Sequence, residues 1–138
     1  MNKFESSQKT VHAGRKPVFD FLSDITNFST LVPGEKVKDF HAETDRCSFL
    51  VDGLGEIGVR IASQEPNECI KFESEGSTPF KFNLWIQLKE TNERTTVIKL
   101  TLGAELNMIM KQMAEKPLKE GIEIIASQLS DHLNNQEW

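Results

Sequence analysis

The feature that most constrains this chain is one long amphipathic segment near its C-terminal end, from Asn107 to about Asn134. Apolar residues recur there at steps of three or four, the spacing of one face of an α-helix: Leu118, Ile122, Ile125, Leu129 and Leu133. Opposite charges at steps of four can meet in water along another side: Lys111, Glu115, Lys119 and Glu123. Because strand-like sequence precedes the segment, we expect the helix to bury its apolar stripe on the face of a sheet.

The stretch before this helix predicts seven antiparallel strands. Turn signals such as Asp52–Gly53 and Asn92–Glu93 divide it at intervals of roughly eight to twelve residues, the pattern of a meander. The predicted strands are residues 3–12, 37–42, 47–51, 55–63, 69–74, 80–89 and 95–104. Apolar and polar residues alternate along them, so one face of the sheet is expected to be apolar and the other wet. Trp85 falls on the wet face.

Short helices are predicted after the first strand. Pro17 suits the first turn of a helix that runs to about Thr26, and a second turn over 28–32 is stopped by Pro33 and Gly34. The long helix itself contains Pro117, which disfavours helical geometry just before it. Its two apolar stripes are also out of phase across this residue. The sequence therefore predicts a kink or break at 115–117, with the Met-rich first segment placed separately over one end of the sheet.

Size and composition favour one domain over residues 1–138 and exclude several classes. Apolar residues make up 38% of the chain and charged residues 27%, so it is neither disordered nor membrane-spanning. The net charge is −5 without a basic cluster, which argues against nucleic acid and anionic lipid surfaces as partners. The first residues lack a signal-peptide core, so a cytoplasmic location is expected. Cys47 and Cys69 are then expected to be reduced and buried.

Four stretches together resemble the START-like, or SRPBCC, superfamily, and more closely a small bacterial subgroup of single-domain members. They are VFDFLSDITNFSTLVP at 18–33, CSFLVDGLGEIGVRI at 47–61, ESEGSTPFKFNLWIQL at 73–88 and MIMKQMAEKPL at 108–118. The superfamily includes polyketide cyclases/dehydrases and pollen-allergen-like proteins. The resemblance implies an α+β helix-grip fold. In it a seven-stranded curved antiparallel sheet wraps round the long C-terminal helix (kinked near Pro117 here), with two short helices after the first strand.

The same resemblance implies a cavity between sheet and helix that holds a lipid, sterol or polyketide in many members. Its walls would be Phe49, Val51, Ile57, Val59, Phe72, Phe82, Leu84, Leu100, Leu102, Met110, Met113, Leu118 and Ile122. Its mouth would include Phe28 and Leu31, with 24–27 and 33–36 around them. Each wall residue has an equally weighty interpretation as ordinary core filler that leaves only a small void.

Residues that could carry chemistry are sparse. His12, His41 and His132 lack the spacing of metal ligands, so no metal or cofactor is predicted. Of these only His41 could face the cavity, although an exposed position suits it better. The glycines of GLGEIG at 53–58 lack the Lys-Ser/Thr ending of a phosphate loop. Polar candidates for the cavity are Ser74, Thr78, Asp39 and Glu105. The chain has no tyrosine, and no catalytic residue is predicted.

Three functions are compatible with the sequence. The first is non-enzymatic binding of a small apolar molecule by a monomer or weak homodimer without membrane insertion. The second is an enzyme of the polyketide cyclase/dehydrase kind, which needs facing polar groups inside the cavity. The third is a protein-interaction or co-chaperone-like module with a vestigial cavity, supported by Trp85 and the Met-rich segment at 108–113. We rank them in that order.

Overall fold

A computed structural model describes residues 1–30 and 37–136 of the chain. The strands within these ranges are β1 (Asn2–Glu5), β2 (Lys9–Val11), β3 (Val37–Ala42), β4 (Arg46–Val51), β5 (Gly55–Glu65), β6 (Cys69–Ser74), β7 (Phe82–Asn92) and β8 (Thr95–Ala104). The helices are α1 (Arg15–Leu22), a 3-10 helix (Ile25–Thr30) and α2 (Met108–Asn134).

All strands join one curved antiparallel sheet in the order β1-β8-β7-β6-β5-β4-β3, and β2 also pairs with β8. Consecutive strands from β3 to β8 are neighbours, so the predicted meander is confirmed. Three predicted strands have the predicted bounds, 37–42, 69–74 and 95–104. The alternation of apolar and polar residues located these strands because each side chain of a strand points to the face opposite its neighbours.

The first predicted strand is divided in two, which corrects the single strand expected over 3–12. β1 ends at Glu5 and β2 begins at Lys9. At the break the Ser6 N–H donates to the Leu100 carbonyl, and the Leu100 N–H donates to Ser6 Oγ, both at 2.9 Å. A serine hydroxyl thus takes the place of a backbone acceptor. The chain leaves the regular ladder here without leaving a buried N–H unpaired.

Helix α1 is shorter than predicted and ends at Leu22, not at about Thr26. The Phe19 carbonyl accepts from the Ser23 N–H at 2.9 Å and from Ser23 Oγ at 2.8 Å, so both groups of Ser23 close the last turn of the helix. Asp24 Oδ1 then accepts from the Thr26 N–H at 3.0 Å and starts the 3-10 helix. Residues 31 and 32 of the predicted second turn lie outside the described residues.

Helix α2 runs without interruption through Pro117, so of the predicted kink or break at 115–117 the break is wrong, and the kink stays a prediction. Asn107 begins the helix, and its side chain accepts from the Met110 N–H at 2.8 Å. Pro117 removes the N–H that would bond the Met113 carbonyl. Both residues are exposed, so water can satisfy that carbonyl and the helix continues.

Helix α2 packs across one end of the sheet, against β1, β2 and β8. Its buried stripe differs from the predicted one at two positions, because Leu118 is only half-buried and Ile125 is 50% exposed, with Ala126 buried in place of Ile125. The buried members of the stripe are Ile122, Ala126, Leu129 and Leu133. Glu123 also departs from the predicted surface row, since it bonds Ser7 and lies 3.6 Å from the Lys9 ammonium in β2. These contacts fix the helix to the first two strands.

Two backbone features shape the far side of the sheet. Gly58 in β5 lies so close to the chain after β6 that a Cβ there would be 2.3 Å from the Glu75 carbonyl oxygen. The Glu75 N–H donates to the Gly58 carbonyl at 2.8 Å. In β3 the register shifts between Lys38 and His41, and Asp39 has a φ of 53°. β3 is thus an edge strand with a bulge.

Candidate functional site

The concave face of the sheet is buried to different degrees along its strands. On β7 and β8 the apolar side chains under α1 and the C-terminal half of α2 are buried: Ile86, Leu88, Ile98 and Leu100. The next residues on the same face are only half-buried: Phe82, Leu84 and Leu102. Leu84 pairs directly with Leu102, so the half-buried part spans both strands. The helices therefore cover one end of this face, and its middle is less completely buried, although Ala104 beyond Leu102 is again fully buried.

The half-buried part continues onto β4 and β5. Phe49 and Val59 are half-buried there, and register places Phe49 opposite Ile57 and Val59 opposite Cys47 on the same face. The Phe40 and Phe49 rings stack with centroids 6.1 Å apart. Aromatic and branched side chains thus line the face to its β3 edge.

Side chains from the helices stand at the border of this surface. Phe28 of the 3-10 helix meets Phe72 edge to face, with centroids 6.3 Å apart. Met110 and Leu118 of α2 are half-buried and pack against the core. We use the name groove for the half-buried apolar side chains of this face and its border: Phe28, Phe49, Val59, Phe82, Leu84, Leu102, Met110 and Leu118.

The predicted wall residues are half-buried or buried with the exception of Met113, and their lining of one cavity stays a prediction. The half-buried ones are Phe49, Val51, Val59, Phe82, Leu84, Leu102, Met110 and Leu118. The buried ones are Ile57, Phe72, Leu100 and Ile122. Met113 is 73% exposed, so its place in a wall stays a prediction. Of the predicted mouth, Phe28 borders the groove, whereas Leu31 and 33–36 lie outside the described residues.

Few polar side chains lie near the groove, and one of them already has a hydrogen-bond partner. Ser74 Oγ accepts a 3.1 Å hydrogen bond from the Phe82 N–H, which continues the β6–β7 pairing. Asp39 and Glu105 are exposed, and Thr78 is half-buried. Cys47 shares the concave face with Val59, and burial, with a smaller effect of the Glu75 carboxylate, raises the pKa of its thiol to about 11. This thiol is therefore protonated at neutral pH.

The three histidines lie on different parts of the fold, with His12 directly after β2, His41 in β3 and His132 in α2. His41 is exposed and pairs with Ser48, so it points away from the face that carries Cys47. The His132 ring lies 5.5 Å from the Phe21 ring, at the packed end of α2. Within residues 1–30 and 37–136 there is no group of three His, Cys, Asp or Glu side chains that could hold a metal ion.

Two surface clefts are lined by described residues. One, of about 500 Å³, lies where β1, β7 and the start of α2 meet, and Phe80, Leu106 and Met110 line it together with Lys81 and Glu105. The other, of about 450 Å³, lies at the end of β7. Met110 borders both the first cleft and the groove, so the cleft adjoins the groove at the N-terminal end of α2.

Two residues in the second half of α2 have features that the sequence did not predict. A Cβ at Gly121 would meet nothing within 4 Å. Gln128 Oε1 is buried and has no hydrogen-bond partner among the described residues. The available signal was the spacing of Leu118, Gly121, Ile125 and Gln128, which share one side of the helix at steps of three and four. A stripe that mixes Gly and Gln with apolar residues is unusual for a packed face.

No helix in the described part of the chain is long and apolar enough to cross a membrane.

Comparisons with known proteins identify the architecture. No protein-family model and no curated protein sequence match the chain. Among solved structures, the START superfamily protein from Mycobacterium smegmatis is 14% identical, with a TM-score of 0.73 over 95% of this chain and 96% of that one. Truncated norcoclaurine synthase from Thalictrum flavum is also 14% identical, with a TM-score of 0.74 over 99% and 95%.

A further match is the di-domain ARO/CYC BexL from the BE-7585A biosynthetic pathway, 14% identical with a TM-score of 0.72. The aligned region covers 95% of this chain and 46% of that one. Likeness at such identities concerns the fold and leaves the activity open. The chain therefore has a START/SRPBCC-like helix-grip fold, as its sequence predicted.

Proposed function

We propose that the groove binds a small apolar molecule of lipid, sterol or polyketide-like character. The observation that carries this proposal is the contrast along β7 and β8, where Ile86 and Leu100 are buried but Leu84 and Leu102 on the same face are left half-exposed. Covering such apolar surface is favourable by about 25 cal/mol per Å². A ligand in the groove would complete the core that the helices leave open.

Binding without catalysis fits the polar groups better than an enzyme does. Acid–base chemistry on a ketone needs at least two polar side chains directed at one reacting atom. The Ser74 hydroxyl already bonds the Phe82 N–H, and the Cys47 thiol is held protonated by its raised pKa. We therefore rank a carrier or sensor of the molecule above an enzyme.

A cyclase/dehydrase-like enzyme is the second candidate. The names of two structural matches, an ARO/CYC protein and a norcoclaurine synthase, support it. It would need reactive groups beyond Ser74 and Cys47 to face the bound molecule. Turnover of a polyketide-like substrate would favour this candidate over simple binding.

We further propose that the chain acts in the cytoplasm as a monomer or weak homodimer.

The third candidate function, an interaction module, has less support from the structure than it had from the sequence. Trp85 is half-buried over Gly103 and lies beneath the Lys71 ammonium, 5.6 Å from its ring centroid. Its ring is thus occupied by contacts within the chain, whereas the Met-rich start of α2 remains exposed.

The test is a ligand panel with one groove variant and one matched control. Fatty acids and an apolar fluorophore should raise the melting temperature of the wild-type chain, because they bind only the folded state. Val59→Phe places a bulky aromatic ring among the groove residues and should abolish the rise in melting temperature. Val97→Phe makes the same change on the opposite face of the sheet and should keep it, since Val97 alternates with the buried Ile98. No rise with any ligand would overturn the proposal.

A further inference from the structure

Helix α2 carries a row of apolar residues that face solvent. Its members follow one another at steps of four and therefore form one ridge on the helix surface: Ile109, Met113, Pro117, Gly121 and Ile125. Ile109, Met113 and Ile125 are 72%, 73% and 50% exposed. Five of the seven large apolar side chains that are exposed in the described part of the chain belong to this helix. Such a gathering marks a contact surface, which we call the ridge.

The ridge is complementary in size to a second copy of itself. Pro117 is its middle member, with Met113 and Gly121 four residues to either side. If two ridges lie antiparallel about a two-fold axis beside Pro117, Met113 of each copy comes to the partner's Gly121. A Cβ at Gly121 would meet nothing within 4 Å, so the position has space for another side chain. The long side chain therefore fits the free space at its symmetry mate.

The charges beside the ridge follow the same symmetry. Lys116 and Glu120 are exposed on the neighbouring row, and their ammonium and carboxylate lie 4.0 Å apart within the helix. The antiparallel two-fold exchanges these two positions to within one residue, so Lys116 of each copy lies near the partner's Glu120. Parallel ridges would instead place the two Lys116 side chains together. Opposite charges thus favour the antiparallel arrangement.

We propose that the ridge is the contact surface for a second copy of this chain, in a symmetric dimer whose α2 helices cross antiparallel beside Pro117. Rows at steps of four interdigitate when two helices cross at about 50°. A net charge of −5 makes an anionic lipid surface a less suitable partner. A single helix crossing is smaller than the roughly 1,200 Å² of a stable interface, so the dimer is weak. This inference specifies the weak homodimer proposed above and is independent of ligand binding, since no ridge residue belongs to the groove.

Sedimentation velocity of the full chain from about 10 μM to about 1 mM tests the proposal, because this range covers the dissociation constants of weak complexes. The sedimentation coefficient of the wild type should rise with concentration toward that of a dimer. Gly121→Leu fills the space for the partner's Met113 and should stay monomeric, and its fold should be kept because the position is open within one copy. Gln112→Leu adds the same side chain at an exposed position off the ridge and should associate like the wild type.

Reversal of two charges gives a second measurement. Lys116→Glu brings like charges together at both symmetric contacts and should weaken the dimer about three- to tenfold at low salt. Combining Lys116→Glu with Glu120→Lys exchanges the two charges and should restore the association. A dimer that Gly121→Leu or Lys116→Glu leaves unchanged would overturn the ridge as its contact surface, although a homodimer would still exist. A wild type that stays monomeric over the whole range would overturn both, and its binding to phosphatidylcholine vesicles would assign the ridge to a lipid surface instead.

Discussion

Ser6 and Leu100 bond each other twice, through the Ser6 N–H to the Leu100 carbonyl and through the Leu100 N–H to Ser6 Oγ, each at 2.9 Å. Both residues are buried. The Ser6 hydroxyl replaces a backbone carbonyl as the acceptor of the Leu100 N–H, at the break between β1 and β2. Two short strands and the packed stripe of α2 are held on β8 around this point.

Replacing Ser6 with Ala should destabilise the fold, because it leaves the buried Leu100 N–H without an acceptor. We expect the free energy of unfolding to fall by about 1–3 kcal/mol. Urea denaturation at neutral pH measures the change. Ser29→Ala, at an exposed serine, is the control and should leave the denaturation midpoint unchanged. Equal midpoints for the two variants would show that the Ser6 hydroxyl is dispensable.

Two glycines should respond in opposite directions to the same substitution. Gly58→Ala places a methyl 2.3 Å from the Glu75 carbonyl oxygen, and relieving that clash should cost about 1–3 kcal/mol of stability. Gly121→Ala lies in the middle of α2 with open space around it, and should add about 0.5–1 kcal/mol. Thermal or urea unfolding of both variants gives the signs. A stable Gly58→Ala protein would mean that β5 can move away from the chain after β6.

Because the pKa of Glu123 is lowered in the folded state, part of the stability of the protein should be lost at acid pH. The Ser7 hydroxyl and N–H both donate to this carboxylate, and with the Lys9 ammonium they hold its pKa below the usual range. At a pH between the folded and the unfolded pKa of Glu123, the folded state therefore binds fewer protons than the unfolded state. The contribution is present above the unfolded pKa and is lost as the pH falls through the folded pKa.

Glu123→Gln should accordingly lower stability at pH 7 and make the decline between pH 7 and pH 3 shallower than in the wild type, because the contribution is lost only below the ordinary pKa of 4.5. Urea midpoints at the two pH values give the comparison. Glu120→Gln, at a carboxylate 4.0 Å from the exposed Lys116 ammonium, should leave the decline as it is. Parallel declines for wild type and Glu123→Gln would exclude a role for this contact.

The thiol of Cys47 should be slow to react. A pKa of about 11 gives about 100-fold less thiolate at pH 8 than the ordinary value of 9.0 does. The Cys69 pKa is raised as well, by burial and by the Glu65 carboxylate, but less strongly than that of Cys47. In a disulfide reagent assay at pH 8, the Cys69→Ser variant, which keeps Cys47, should therefore react more slowly than Cys47→Ser. A faster reaction of Cys69→Ser than of Cys47→Ser would mean that the Cys47 thiol is more accessible to solvent than the structure indicates.

Much of the sheet was predictable because its strands alternate on a face that is apolar throughout. The bounds of β3, β6 and β8 follow from that local pattern. The break between β1 and β2 did not, since it depends on the contact of Ser6 with Leu100, far apart in the chain. The continuity of α2 was missed for a related reason, because the cost of Pro117 depends on whether the freed carbonyl faces water.

The site was predictable only in outline. Alternation identified Leu84 and Leu102 as inward residues. The sequence alone could not tell which inward residues the helices bury and which they leave half-buried. That difference arises from where α1 and α2 cross the sheet.

Both outer borders of the sheet are interrupted. On one side the ladder stops at Ser6 and resumes at Lys9, and on the other it slips between Lys38 and His41. A strand from another molecule could follow either border for only a few residues before losing its hydrogen bonds. These interruptions disfavour the joining of one sheet to the next into fibres, a hazard that any sheet with uncovered apolar side chains faces.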